Sequence, residues 1–171
     1  MNRRTTAGRG MSMFLEENDT ILHAAPPKVW AALTRFDAYE RWNPFVRISG
    51  PLEQGALVAY SFRMKSNKPR FFTIDARITA LEPQRCVTFR FGFGGLMSFE
   101  ESYCVEPVPV GSRMVHSFRC TGLLSGLKLR RMRQNFSKML EITDRLFQRH
   151  LTPARPPLPK KRPRKGFRPN A

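Results

Sequence analysis

From Phe45 onward the chain alternates large apolar and polar residues with a period of two, and this regularity organises the rest of the sequence. Strict alternation marks strands with one buried and one wet face, as in an antiparallel meander. Turn residues cut the run into six strands: roughly 45–51, 56–65, 70–81, 85–93, 96–106 and 112–121. Gly50-Pro51, Ser66-Asn67-Lys68-Pro69, Glu82-Pro83-Gln84, Gly92 with Gly94 and Gly95, and the loop 107–111 separate them. The inward phase holds Val58, Tyr60, Phe62 and Met64, then Phe72, Ile74, Ala76, Ile78 and Ala80. It continues through Val87, Phe89, Phe91 and Phe93, then Met97, Phe99, Glu101, Tyr103 and Val105, and ends with Met114, His116, Phe118 and Cys120.

Before this run, residues 13–23 read as a first strand. Pro26 and Pro27 then open a helix, because the first helical residues need no N–H partner. Val29, Trp30, Leu33 and Phe36 recur at helical spacing. Asp37 is placed to cap a second short helix through Glu40 to Trp42, which Asn43-Pro44 ends. After Gly122–Gly126 breaks the sheet, helical spacing returns over 127–151, with Leu129, Met132, Phe136, Met139, Leu140, Leu146 and Phe147 as its apolar stripe. At ~1.5 Å per residue such a helix spans about 37 Å, long enough to cross the sheet. Pro153 ends it. The expected class is α+β: a strongly curved antiparallel sheet of about seven strands wrapped on a long C-terminal helix, with two short helices after strand one. A sheet with so many inward Phe side chains is expected to leave an apolar pocket under its one covering helix, and such pockets are the usual sites of small ligands.

Charge changes the picture less than its size suggests. The formal net charge is +17, but Arg3, Arg4 and Arg9 lie before residue 13, and Arg155, Lys160, Lys161, Arg162, Arg164, Lys165 and Arg168 lie after residue 151. Neither end has an acid, so more than half of the net charge belongs to them. The expected organisation is a disordered basic segment at 1–12, one domain at 13–151, and a disordered Pro/Lys/Arg-rich tail at 152–171. One expectation is that translation starts at Met11 or Met13 and that the first ten residues are an over-extended reading frame. Three cysteines, Cys86, Cys104 and Cys120, without CxxC spacing, argue against a disulfide framework and against zinc. No run reaches the ~18 apolar residues of a membrane span. The expected location is cytoplasmic, with no metal, no cofactor, and a monomeric or homodimeric state.

Three stretches resemble the SRPBCC superfamily, the START-like and birch-pollen-allergen-like helix-grip proteins. They are ILHAAPPKVWAALTRFDAYERWNPFV at 21–46, the spaced Gly50 and Gly55, and ESYCVEPVPVGSRMVHSFRCTGLLSGL at 101–127. The resemblance covers about residues 13–150 and is nearest the polyketide cyclase/dehydrase-like branch. It implies the helix-grip fold, and a superfamily of lipid carriers, hydrophobic-ligand binders, cyclases and ribosome-associated factors. Many relatives carry His where this chain has Glu101, so no role of that His carries over.

Three functions follow as expectations. The first is binding of a small hydrophobic or amphipathic molecule (a lipid, polyketide or aromatic) by Tyr60, Phe62, Ile74, Phe89, Phe91, Phe99, Tyr103, Phe118, Phe136 and Leu140. The second is a cyclase/dehydratase-like enzyme with Glu101 and His116 as catalytic acid and base, the two ionisable residues on the inward phases of neighbouring strands. The third is a ribosome- or membrane-associated interaction protein acting through its basic ends, with weak contact to anionic surfaces and no specific nucleic acid. Trp30, Trp42 and Asn43 read as structural. Asp75 and Arg77 face outward, and His23 and His150 have no partners at metal-ligand spacing.

Overall fold

A computed structural model describes residues 12–94, 96–122 and 129–152, apart from the side chains of 12, 13 and 129–132. The expectations for both charged ends, for Gly95 and for 123–128 lie outside the described residues. The elements in chain order are β1 (Ser12–Leu22), α1 (Pro26–Thr34), a 3-10 helix (Phe36–Arg41), β2 (Val46–Ser49), β3 (Leu57–Phe62), β4 (Phe72–Glu82), β5 (Cys86–Phe93), β6 (Met97–Val108), β7 (Gly111–Gly122) and α2 (Leu129–Leu151). All seven strands form one antiparallel sheet in the order β1-β7-β6-β5-β4-β3-β2. The sheet curls around α2, which is the helix-grip arrangement.

The inward phases of the sheet form the core. Phe89, Tyr103, Ile78, Met114 and Val58 are almost completely buried, and Phe147 of α2 packs among them from the other side. Pro26 and Pro27 occupy the first turn of α1, whose buried face is Val29 and Leu33. The Tyr39 hydroxyl donates to the Leu33 carbonyl at 2.8 Å and ties the 3-10 helix to α1. Asn43 shapes the next turn, as its type suggests. Its Oδ1 accepts from the backbone N–H groups of Phe45 and Val46 at 2.9 and 3.0 Å. Trp42 is buried and packs on Phe147 with ring centroids 4.6 Å apart.

Four local expectations are corrected. The 3-10 helix begins at Phe36 without a side-chain cap, so Asp37 lies inside its first turn. The stretch 107–111 is not a loop: pairing continues through Pro107↔Ser112 and Val108↔Gly111, leaving a tight hairpin at Pro109-Val110. A bulge between Ile78 and Ala80 shifts the register of β4, so Leu81 packs against the core in place of Ala80. Cys86 and Cys104 are disulfide-bonded, directly opposite each other on β5 and β6. Their count and spacing could not reveal this, because the pairing comes from strand register. Cys120 is free and buried.

Candidate functional site

Between the curled sheet and α2 lies a cavity of about 280 Å³. Strands β2 and β3 contribute Val46, Tyr60 and Phe62, with Met64 just beyond β3. Strands β5, β6 and β7 contribute Phe91, Phe93, Phe99, Glu101 and Phe118, and α2 closes it with Phe136 and Met139. The walls are built from stacked rings. Phe118 and Phe136 stack at 4.0 Å, Tyr60 and Phe91 at 4.5 Å, and Phe91 and Phe99 at 5.6 Å between centroids. Met64 and Phe93, 38% and 52% exposed, form the rim. Among the described lining residues, Glu101 is the one charged group.

Of the ten residues expected to line a pocket, Tyr60, Phe62, Phe91, Phe99, Phe118 and Phe136 do so. Phe89, Tyr103 and Leu140 are instead buried in the packed part of the core, and half-buried Ile74 packs against it. Alternation says which face a side chain takes, not where the helix leaves space. Val46, Met64, Phe93 and Met139 complete the lining and were not expected there.

The polar end of the cavity is a buried network. Tyr103 pairs with His116 across β6 and β7, and His116 pairs with Asn18 across β7 and β1, so one row of the sheet carries all three. Glu101 sits two residues from Tyr103 on the same face, diagonal to His116. His116 bridges two carboxylates: Nε2 lies 3.0 Å from Glu101 Oε1, and Nδ1 lies 2.7 Å from Asp144 Oδ1. Asn18 Nδ2 donates to Asp144 Oδ2 at 2.6 Å. Tyr103 donates to Glu101 Oε1 at 3.0 Å, and Tyr60 donates to Glu101 Oε2. The Tyr103 and His116 rings stack at 4.0 Å.

Burial pushes the His116 pKa down, but the charge and hydrogen bonds of Asp144 and Glu101 outweigh it and raise it to about 9. At neutral pH the imidazolium therefore donates from both nitrogens. Burial, then the negative charge of Glu101, raises the Tyr60, Tyr103 and Tyr39 hydroxyls well above their usual value, so they stay protonated. Both expected polar residues are thus buried within hydrogen-bond reach of each other, but only Glu101 faces the cavity. His116 stands behind it.

Asp144 was missed from the sequence, although a signal was present. It occupies the buried helical series Phe136, Leu140, Asp144, Phe147, Leu151, where a lone acid is out of place. Leu146, counted there instead, is only half-buried.

Residues 17–148 match the family model described as polyketide cyclase / dehydrase and lipid transport. The chain belongs to this family. Its structural relatives include the START superfamily protein from Mycobacterium smegmatis, with a TM-score of 0.63 and 10% identity over 80% of this chain and 96% of that one. TTHA0849 from Thermus thermophilus has a TM-score of 0.64 at 11% identity, over 80% and 96% of the two chains. Ara h 8.0201 has 0.61 at 12%, over 81% and 97%. Identities this low show the shared fold alone. No curated protein matches the chain. The polyketide cyclase / dehydrase and lipid transport family belongs with the SRPBCC and START-like proteins, which generally bind hydrophobic ligands. No described helix of this member is long and apolar enough to cross a membrane.

Proposed function

We propose that the domain binds a small hydrophobic or amphipathic molecule, such as a lipid, polyketide or aromatic, in the cavity between the sheet and α2. The observation that carries this is the cavity itself: about 280 Å³, walled by stacked aromatic rings, with one charged group at its inner end. That composition, apolar walls with a few placed polar groups, is typical of small-ligand sites, and the volume falls just below the roughly 300 Å³ lower end of their usual range. An aromatic group the size of a Phe to Trp side chain buries roughly 150–250 Å², worth about 4–6 kcal/mol. Before the cost of association is subtracted, that corresponds to a dissociation constant between about millimolar and tens of micromolar.

Native mass spectrometry of the purified chain, together with amide and aromatic NMR shifts on adding 2-naphthol, tests the proposal. Binding is expected to shift Phe91, Phe99, Phe118 and Phe136 first. Shifts confined to the outer face of the sheet, or none at millimolar ligand, would overturn it.

One observation favours a second reading, a cyclase/dehydratase-like enzyme. Glu101 presents a carboxylate to the cavity and is held from behind by His116, which Asp144 holds in turn. In that reading Glu101 is the base that touches substrate. His116, protonated and turned away from the cavity, is a positioning residue and not the paired acid. An E101Q variant that binds substrate but turns over none supports the enzyme; unchanged turnover excludes it.

A further inference from the structure

Resting on the ligand-binding reading, we infer that this cavity selects an amphipath whose polar end donates a hydrogen bond – an alcohol, phenol or ammonium – and discriminates against carboxylates and other anions. Among the described residues at the cavity's polar end, the donors are all engaged and the acceptors are not. Glu101 and Tyr60 are its polar lining groups among the described residues. The only hydrogen on the Tyr60 hydroxyl goes to Glu101 Oε2. That of Tyr103 goes to Glu101 Oε1 at 3.0 Å. The two ring nitrogens of His116 face Glu101 at 3.0 Å and Asp144 at 2.7 Å, so in either protonation state no imidazole N–H is left for a ligand. The remaining described lining side chains are Phe, Val and Met, which have no N–H or O–H.

Acceptor capacity remains. Each carboxylate oxygen takes about two hydrogen bonds. Oε1 already has two donors, whereas Oε2 has one. Among the described residues, one acceptor site on Oε2 therefore has no donor, beside the lone pairs of the Tyr60 oxygen. A ligand O–H or N–H meets an ionic acceptor there. A ligand carboxylate meets a like charge with no donor from the described residues between the two, in a desolvated site.

The experiment compares three ligands of one shape, 2-naphthol, 2-methylnaphthalene and 2-naphthoate, by calorimetry at pH 7.5 on the full chain. A hydrogen bond to a charged group contributes about 1.5–3 kcal/mol, so 2-naphthol is expected to bind at least about tenfold tighter than 2-methylnaphthalene. 2-Naphthoate is expected to bind weakest. In E101Q the preference for 2-naphthol over 2-naphthoate collapses, because the amide brings its own donor. Y60F, which frees more of Oε2 and leaves the carboxylate, keeps the preference and covers the case in which E101Q does not fold. Equal affinities, a preference for 2-naphthoate, or loss of the preference in Y60F overturns the inference while the ligand-binding reading stands. Failure of all three ligands to bind removes that reading as well.

Discussion

His116 is the residue on which the polar network turns, since it touches both buried carboxylates at once. Burial alone would lower its pKa, yet Asp144 and Glu101 carry it to about 9, above the unfolded value near 6.5. A folded pKa raised in this way contributes stability that is fully present below about pH 6.5 and is lost as pH rises through about 9. The size of the effect is on the order of 3 kcal/mol. Urea midpoints measured from pH 6 to 10 are expected to fall across that window, and the imidazole NMR resonances to titrate near its upper end. Asp144→Asn removes the larger of the two contributions that raise the His116 pKa, so the His116 titration moves down, and the fall in stability, still beginning at about pH 6.5, becomes smaller and ends at lower pH. An unmoved titration would show that Asp144 does not set the charge of this imidazole. The tyrosines do not confuse the measurement below pH 10, because burial and Glu101 raise their pKa values.

Among the elements, the strands were the most legible in the sequence. Alternation of large and polar residues locates the six strands from Phe45 onward to within a few positions, because each has one face on the core and one in water, and the reading of 13–23 as a first strand matches β1. What alternation cannot contain is register between strands and the placement of the helix above them. The disulfide between Cys86 and Cys104, the slip at Ile78/Ala80 and the exclusion of Phe89 and Leu140 from the cavity all depend on those. Asp144 is hidden for another reason: a helix stripe read from apolar residues passes over a buried acid, and the chemistry lies in that acid. The β6–β7 hairpin gives an element-scale prediction. Gly111 has φ +139°, and a Cβ there would lie 2.2 Å from the Leu22 carbonyl oxygen and 2.8 Å from the Ala24 nitrogen. That backbone belongs to the end of β1 and the link to α1, so it cannot simply swing aside. Gly111→Ala is expected to cost about 2–3 kcal/mol in denaturant titration. Gly94, with φ +48° and nothing within 4 Å, supplies the comparison, since Gly94→Ala meets only the left-handed penalty of about 1 kcal/mol. Equal costs at the two sites would mean that the contact with β1 yields easily.

At the scale of the molecule, stability rests on apolar burial and not on the large formal charge. Surface pairs such as Arg85–Glu82 and Arg113–Glu106 are well exposed, and pairs of that kind contribute about 0–1 kcal/mol each. The cavity is then a place where the same burial is left incomplete, and ligand and fold draw on one apolar surface. Phe136 tests this coupling, because it belongs to both: it stacks on Phe118 at 4.0 Å and lines the cavity. Phe136→Ala removes a buried ring from α2 and is expected to lower stability by about 3–5 kcal/mol. The space it vacates adjoins the existing cavity, so an aromatic ligand should enter and restore part of the loss. A ligand present at about 100 times its dissociation constant stabilises by about 2.7 kcal/mol, several degrees in Tm for a domain of this size. Thermal melts of the wild-type chain and of Phe136→Ala with 2-naphthol should therefore both rise, with larger aromatics favoured in the variant. A wild-type chain that rises and a variant that does not would mean that α2 collapses onto the sheet when the ring is lost, closing the site that Phe136 holds open.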